Sequence, residues 1–257
     1  MSRWMLALLV CLSSPVGARA AADLSDFGFH QRPGALVPMD AVFHDETGRP
    51  LRFGDLIDGQ PVILALGYFH CPNLCGIVRA DLFDALGASG LRADQYSLIA
   101  LSIDPAETSS DAATAKREDM ARYPVTGADH AWHYLTGSQA AVQRVAEAVG
   151  FSNRYDAVLK QFLHPTGLVF LAPAGRVSGY LLGVGYSPGD LTSGVARARS
   201  GAVGQAAVPV LLLCFHFDPS TGRYTLAVTK VLQIAGLFTV LTVGGMIGLA
   251  LRRDRTR

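Results

Sequence analysis

The sequence has few cysteines and few charges for its length. Four cysteines occur in 257 residues, which is too few for a fold held together by disulfides. Charged residues make up only 17% of the chain, and the net charge of +1 gives no electrostatic reason to expect a nucleic-acid partner. The sequence also lacks internal repeats and low-complexity tracts. Its length allows one sizeable core with additional segments.

Half of the residues are apolar, and the excess lies at the two ends. Residues 1–20 have the pattern of a secretory signal, because Arg3 precedes an apolar stretch over 4–12 and Ala-Arg-Ala at 18–20 is a typical cleavage site. A retained N-terminal anchor is the alternative, but the stretch is shorter than the ~20 residues that span a bilayer. We expect Cys11 to be removed with this segment.

The C-terminal end has a longer apolar segment. Residues 231–251 are uncharged, mostly apolar and of membrane-spanning length. Four arginines follow within 252–257, and positive residues mark the cytoplasmic side. A buried helix of a soluble core is the alternative, but the segment lacks a polar face. The sequence therefore predicts one transmembrane helix in a bacterial-type inner membrane, with residues 21–230 in the periplasm and a cytoplasmic tail at 252–257.

The segment between the ends alternates strand and helix patterns. The mostly apolar runs PVILALGYF at 61–69 and YSLIALSI at 96–103 predict strands buried on both faces. The other predicted elements are helices at 74–86, 108–123, 138–149 and 188–198, a strand at 131–135, and hairpins at 42–53 and 167–182. This order predicts an α/β sandwich with a mixed sheet over 21–203. Residues 204–230 predict a further β-hairpin that links this domain to the membrane helix.

A pair of cysteines lies where the first buried strand meets its helix. Cys71 and Cys75 form a CxxxC motif, and a spacing of four places both sulfurs on one face of a helix. A helix N-terminus favours the thiolate form, and two adjacent thiolates suit Cu(I) or Zn(II). Zinc prefers four ligands, and the chain has no second cysteine pair nearby. The motif therefore favours copper, with a third ligand from elsewhere in the fold.

Other uses of the cysteine pair are possible chemically. A structural disulfide would close a very short loop, which gains little stability. A redox-active dithiol is the stronger alternative, although ordinary thioredoxin-like oxidoreductases use CxxC and the extra residue favours a metal. Peroxide reduction would need an Arg and a Thr around a lone cysteine, and the sequence offers no convincing set.

Three motifs resemble the Sco/SenC family of copper chaperones over about residues 30–200. They are GYFHCPNLCG at 67–76, LSIDP at 101–105, and HPTGLVFLAPAG starting at His164. The resemblance implies a thioredoxin-like fold. It also implies that copper, as Cu(I) or Cu(II), is bound by Cys71, Cys75 and His164. The family usually has an Asp before this histidine, whereas Leu163 precedes it here and Pro165 holds it in extended geometry.

The resemblance also implies a function in assembling the copper centre of cytochrome c oxidase. We expect a membrane-anchored metallochaperone, not an enzyme, that delivers copper to the copper-binding subunit of a membrane oxidase. The alternative is a thiol–disulfide reductase that acts on the cysteines of that subunit. His164 discriminates between them, because copper binding needs the imidazole and dithiol exchange does not. A histidine that merely packs in a turn is the simplest alternative for His164.

Several further residues could carry chemistry. Cys214 and His216 would share one face of a strand, which predicts an auxiliary soft-metal site or, more simply, a buried cysteine. We expect His70 to shape the field near Cys71 rather than bind metal. His130 and His133 are expected at the surface or in packing. Asp104 is either an acid near the cysteine loop or a turn residue.

Overall fold

The computed structural model describes residues 28–71, 75–157, 160–207, 233 and 235–246, with Cys75 described by its backbone alone. The predicted signal segment and the predicted tail lie outside these residues. So does the predicted linking hairpin beyond residue 207, and with it Cys214 and His216. The predictions made for those segments stay predictions.

Within the described residues, strands and helices alternate as expected. The strands are β1 (Val42–His44), β2 (Pro50–Arg52), β3 (Val62–Gly67), β4 (Ser97–Ser102), β5 (Trp132–Leu135), β6 (Arg154–Asp156), β7 (Gln161–Leu163), β8 (Gly167–Leu171) and β9 (Val177–Leu182). The α-helices are α1 (Cys75–Ser89), α2 (Ser109–Arg122), α3 (Ala128–Ala131), α4 (Gln139–Ala148) and α5 (Pro188–Arg199). Short 3₁₀ turns lie at Phe53–Leu56 and Ala93–Gln95.

The central sheet has five strands in the order β5-β4-β3-β8-β9. Strands β3, β4 and β5 are parallel, whereas β8 runs antiparallel to both β3 and β9. The predicted mixed sheet is therefore confirmed. Two small antiparallel pairs, β1 with β2 and β6 with β7, lie outside it.

Helices cover both faces of this sheet. In β3, Leu64 and Leu66 belong to one apolar core, which also contains side chains of α4. Ile63 points the other way and belongs to a second core with side chains of α1, α2 and α5. Because side chains alternate across a strand, burial on both faces requires the continuous apolar run that predicted this strand.

The helix ends follow ordinary capping chemistry. Ser138 caps α4 as predicted, since its hydroxyl accepts the N–H of Ala141 at 3.3 Å. Thr108 and Asp111 form a capping box at the start of α2. Helix α1 extends three residues beyond its predicted end and stops before Gly90, whose φ of +71° suits glycine.

The small hairpin β6–β7 and the short helix α3 were not predicted. Each strand of the hairpin has three residues, RYD and QFL, which is too short to show an alternating pattern. The hairpin matters for the site because β7 ends at Leu163, immediately before His164.

Residues 235–246 are helical, and their large apolar side chains are exposed. In the part of the chain that the structure describes, no helix has both the length and the apolar character needed to cross a bilayer. The predicted span at 231–251 includes residues outside that part, so it stays a prediction.

Candidate metal centre

The cysteine motif lies at the carboxyl end of the central strand β3. The strand ends at Gly67, a short segment leads to Cys71, and α1 begins at Cys75. Cys71 is half-buried and packs against the apolar core that includes α4. The predicted junction of buried strand and helix is confirmed, and this end of an α/β sheet is a usual location for functional groups. The side chain of Cys75 lies outside the described residues.

His164 is buried between β7 and β8, with 3% of its surface exposed. Its ring centroid lies 6.0 Å from that of Tyr68 and 5.8 Å from that of Phe151. Tyr68 precedes Cys71 by only three residues, so the structure brings His164 to the same end of the sheet as the cysteine motif.

The ring of His164 is oriented by the backbone. Its Nδ1 lies 2.9 Å from the carbonyl oxygen of Pro165. A carbonyl oxygen can only accept, so Nδ1 is the donor in this contact, which leaves Nε2 as the ring nitrogen that could bind a metal. Metal-ligating histidines commonly donate their other N–H to a carboxylate or a backbone carbonyl. The Pro165 carbonyl thus orients the ring although Leu163 replaces the usual Asp.

The complete ligand set is not among the side chains that the structure describes. Within those side chains, no three His, Cys, Asp or Glu residues are grouped as a metal site. Cys75, the third predicted ligand, is outside them. The assignment of Cys71, Cys75 and His164 as ligands therefore stays a prediction. Cys71 offers a soft thiol on the loop, and His164 offers an imidazole that can bind a metal.

A buried carboxylate that sequence reasoning missed holds the chain just before Cys71. Glu107 accepts the N–H of Phe69 at 2.9 Å and the N–H of His70 at 2.7 Å. It also accepts the hydroxyl of Ser102 at 2.6 Å, and only 4% of its side chain is exposed. The one feature of the sequence that points to Glu107 is its place two residues after LSIDP. An acid in a polar stretch ordinarily faces solvent, so its burial was not expected.

His70 and Asp104 lie near the cysteine motif and contact neighbouring residues. The Nδ1 of His70 lies 3.2 Å from Glu107 and its Nε2 lies 3.7 Å from Asp111, so its ring is directed at carboxylates. Asp104 accepts the N–H of Ala106 at 2.8 Å. This bond is that of a turn residue, which agrees with the second interpretation of Asp104.

His130 and His133 have surface or packing environments. His130 is exposed and lies 3.1 Å from Asp129. His133 is partly buried on β5, and this burial lowers its pKa. Both observations match the expectation from sequence.

An ion pair beneath the motif fixes helix α1. The Nε of Arg79 lies 3.1 Å from a carboxylate oxygen of Asp119, which also accepts the hydroxyl of Tyr134 at 2.8 Å. Burial raises the pKa of Asp119, although Arg79 and Tyr134 both favour its ionised form. These contacts join α1 to α2 and β5. Arg79 also lines a small apolar cavity with Tyr68 and His164.

The SCO1/SenC family model matches residues 34–198. The chain belongs to this family. The predicted resemblance is confirmed, as is the thioredoxin-like fold with a mixed sheet. No curated protein matches the sequence.

Solved structures share the fold at low sequence identity. A candidate electron transfer protein from Aquifex aeolicus VF5 has 24% identity and a TM-score of 0.57, with 66% of this chain and 95% of that chain covered. BsSco, described as a Sco family cytochrome c oxidase assembly protein with a disulfide switch, has 20% identity and a TM-score of 0.52, covering 68% and 98%. Arabidopsis thaliana ScoI with copper bound has 17% identity and a TM-score of 0.51, covering 66% and 99%.

Proposed function

We propose that this SCO1/SenC family member is a copper metallochaperone that delivers copper to the copper-binding subunit of a membrane cytochrome oxidase during assembly. One observation carries the proposal: a buried histidine, His164, whose Nδ1 is held by the Pro165 carbonyl, lies at the same end of the sheet as the CxxxC motif.

The ligands would be the thiolates of Cys71 and Cys75 and the Nε2 of His164. Two thiolates and one imidazole suit Cu(I), which accepts three ligands, and the same set can hold Cu(II). Copper would pass to the client by stepwise exchange of these ligands for client ligands, so that it is never released to water. The copper-bound ScoI structure and the description of BsSco as an oxidase assembly protein support this cargo and this client.

The membrane anchor is part of the same proposal. Residues 231–251 would span the inner membrane once, with the copper-binding domain in the periplasm close to its client. The support is the helix over 235–246, whose exposed apolar side chains occur at successive positions around it: Leu237, Phe238, Val240, Leu241, Val243 and Met246. A helix without a polar face is typical of a membrane span.

The anchor is tested by extracting membranes with alkaline carbonate. The full chain is expected to stay in the membrane pellet, and a chain ending at residue 207 is expected in the soluble fraction. Protease added to spheroplasts should digest the domain of the full chain. Recovery of the full chain in the soluble fraction, or protection of its domain, would contradict the proposed topology.

The ligand set is tested by copper-edge X-ray absorption on the full chain. Wild type is expected to bind one Cu(I) with two sulfur ligands and one nitrogen ligand. His164→Ala should lose the nitrogen, and Cys71→Ala or Cys75→Ala should lose the bound copper. The exposed His130→Ala variant is the matched control. Normal copper loading in either cysteine variant would refute the proposal.

A second candidate function is reduction of a disulfide in the same oxidase subunit. The disulfide switch described for BsSco favours it, because the same dithiol could exchange with a client disulfide. The distinguishing measurement is oxidase assembly in cells that carry His164→Ala. Full assembly in these cells would support the reductase, and loss of assembly would support the chaperone.

Cys214 and His216 are proposed as an auxiliary copper site near the membrane. The double variant Cys214→Ala/His216→Ala, titrated with Cu(I), is expected to bind less copper than wild type. Unchanged stoichiometry and affinity would assign Cys214 to packing instead.

A further inference from the structure

We propose that Glu107 is a positioning residue that fixes the Cys71 end of the metal centre. The inference rests on the proposed copper site but concerns a residue outside the ligand set. Glu107 does not touch the metal ligands in any contact described above. It acts through the backbone of the two residues that precede Cys71.

The contact is bidentate, and the carboxylate that makes it is buried. One carboxylate oxygen of Glu107 accepts the N–H of Phe69, and the other accepts the N–H of His70. Because β3 has already ended at Gly67, these two N–H groups lie beyond the described pairing of β3 with β4 and β8. Backbone donors that leave a strand still need acceptors, and Glu107 supplies one to each.

The turn after β4 holds Glu107 in place. The hydroxyl of Ser102 donates to Glu107 and accepts the N–H of Asp104 at 3.1 Å. The carboxylate of Asp104 accepts the N–H of Ala106, and its carbonyl accepts the N–H of Glu107 at 3.1 Å. The SIDP motif therefore builds a closed turn that presents the Glu107 carboxylate to the cysteine loop, which gives this motif a role that the ligand set does not explain.

A carboxylate suits this position better than an amide. It offers two acceptor oxygens, whereas a glutamine offers one oxygen and one NH₂ group. In Glu107→Gln, the NH₂ group would face either the N–H of Phe69 together with the Ser102 hydroxyl, or the N–H of His70, so one loop N–H would lose its partner in either orientation. The isosteric change therefore loosens the loop without altering its volume.

By holding Phe69 and His70, Glu107 orders Cys71 before copper binds, which should raise the affinity for copper. A ligand that is already ordered loses less conformational freedom on binding. Groups that orient metal ligands typically change metal affinity by about 10- to 100-fold when they are removed. The same restraint acts on the distance between the two cysteines, so it also influences the reduction potential of the Cys71–Cys75 pair.

The test uses the full chain with Glu107→Gln, and Glu118→Gln as the matched control on the exposed face of α2. We expect Glu107→Gln to bind Cu(I) about 10-fold more weakly than wild type in competition with a chelator. Its dithiol reduction potential, measured against glutathione, and its Cu(II) electron paramagnetic resonance spectrum should both change. Glu118→Gln should match wild type in all three measurements.

A second variant, Ser102→Ala, removes one donor to Glu107 and leaves the carboxylate on the loop. It should shift the same three measurements in the same direction by a smaller amount, and it decides the question if Glu107→Gln does not fold. Wild-type affinity, potential and spectrum in a folded Glu107→Gln protein, or in Ser102→Ala if only that protein folds, would overturn the inference. If wild type binds no Cu(I), the proposed function fails, and the reduction potential still tests the role of Glu107.

Discussion

Individual side chains near the cysteine motif divide into donors and the groups that orient them. In the proposed copper site, Cys71 and His164 would supply soft and borderline donor atoms, and the Pro165 carbonyl accepts from Nδ1 of His164. Glu107 orders the loop from the opposite side. A substitution can therefore impair copper binding in two ways: it can remove a donor and change the coordination number, or it can disorder a donor and change only the affinity.

His133 gives a prediction about the dependence of stability on pH. Burial lowers its pKa below the ordinary 6.5, while Glu46 opposes this and Lys116 adds to it. The unfolded chain therefore binds a proton before the folded chain does, so this histidine reduces stability as pH falls below about 6.5. We expect His133→Gln to lose less unfolding free energy than wild type between about pH 7.5 and about pH 5.5.

Urea unfolding at each pH measures this effect. His130→Gln is the control, because that ring is exposed and its loss should leave the wild-type pH dependence in place. Identical pH dependence in wild type and His133→Gln would contradict the prediction.

At the scale of helices and strands, the elements buried on both faces were the ones that the sequence predicted correctly. Strands β3 and β4 were predicted because both faces are covered, which demands continuous apolar runs. The hairpin β6–β7 was missed because its short strands pair only with each other, outside the main sheet. Glu107 was missed for a related reason, since its partners are backbone groups distant in sequence and leave no local pattern.

Helix α1 carries Cys75, and the largely buried pair of Arg79 and Asp119 adds an ionic contact between α1 and α2 to its apolar packing. Arg79→Met would leave the Asp119 carboxylate buried with only the Tyr134 hydroxyl as partner. We expect a loss of about 3 kcal/mol in the free energy of unfolding, because an uncompensated buried charge is costly. Chemical denaturation measures it.

The double variant Arg79→Met/Asp119→Leu separates charge from packing. It removes both charges, so it should be more stable than Arg79→Met alone. If the double variant is instead less stable by the sum of the two single effects, the pair does not interact and the attachment of α1 has another origin.

At the scale of the whole molecule, the two ends of the domain meet. The side-chain amide of Gln31 donates to the carbonyl of Ala207 and accepts its N–H, both at 2.7 Å. Phe29, two residues earlier, packs on Phe151, which in turn packs on His164. Ala207, the last described residue of the domain, therefore lies on the side that holds the buried histidine.

Replacing Gln31 should free the segment that ends at Ala207. Its two bonds to Ala207 resemble a pair of strand bonds, and alanine can make neither. In the full chain, Gln31→Ala should therefore be cut faster within 202–207 by a protease that cleaves after small residues, because local opening there needs fewer broken bonds. Mass spectrometry of the fragments locates the cut.

Gln143→Ala, on the exposed face of α4, is the control and should be cut at the wild-type rate. The melting temperature should fall little, since the core that contains β3 and α4 is untouched. Equal cleavage rates in wild type and Gln31→Ala would mean that other contacts hold this segment, such as the hydrogen bond from the N–H of Gly204 to the carbonyl of Ser178.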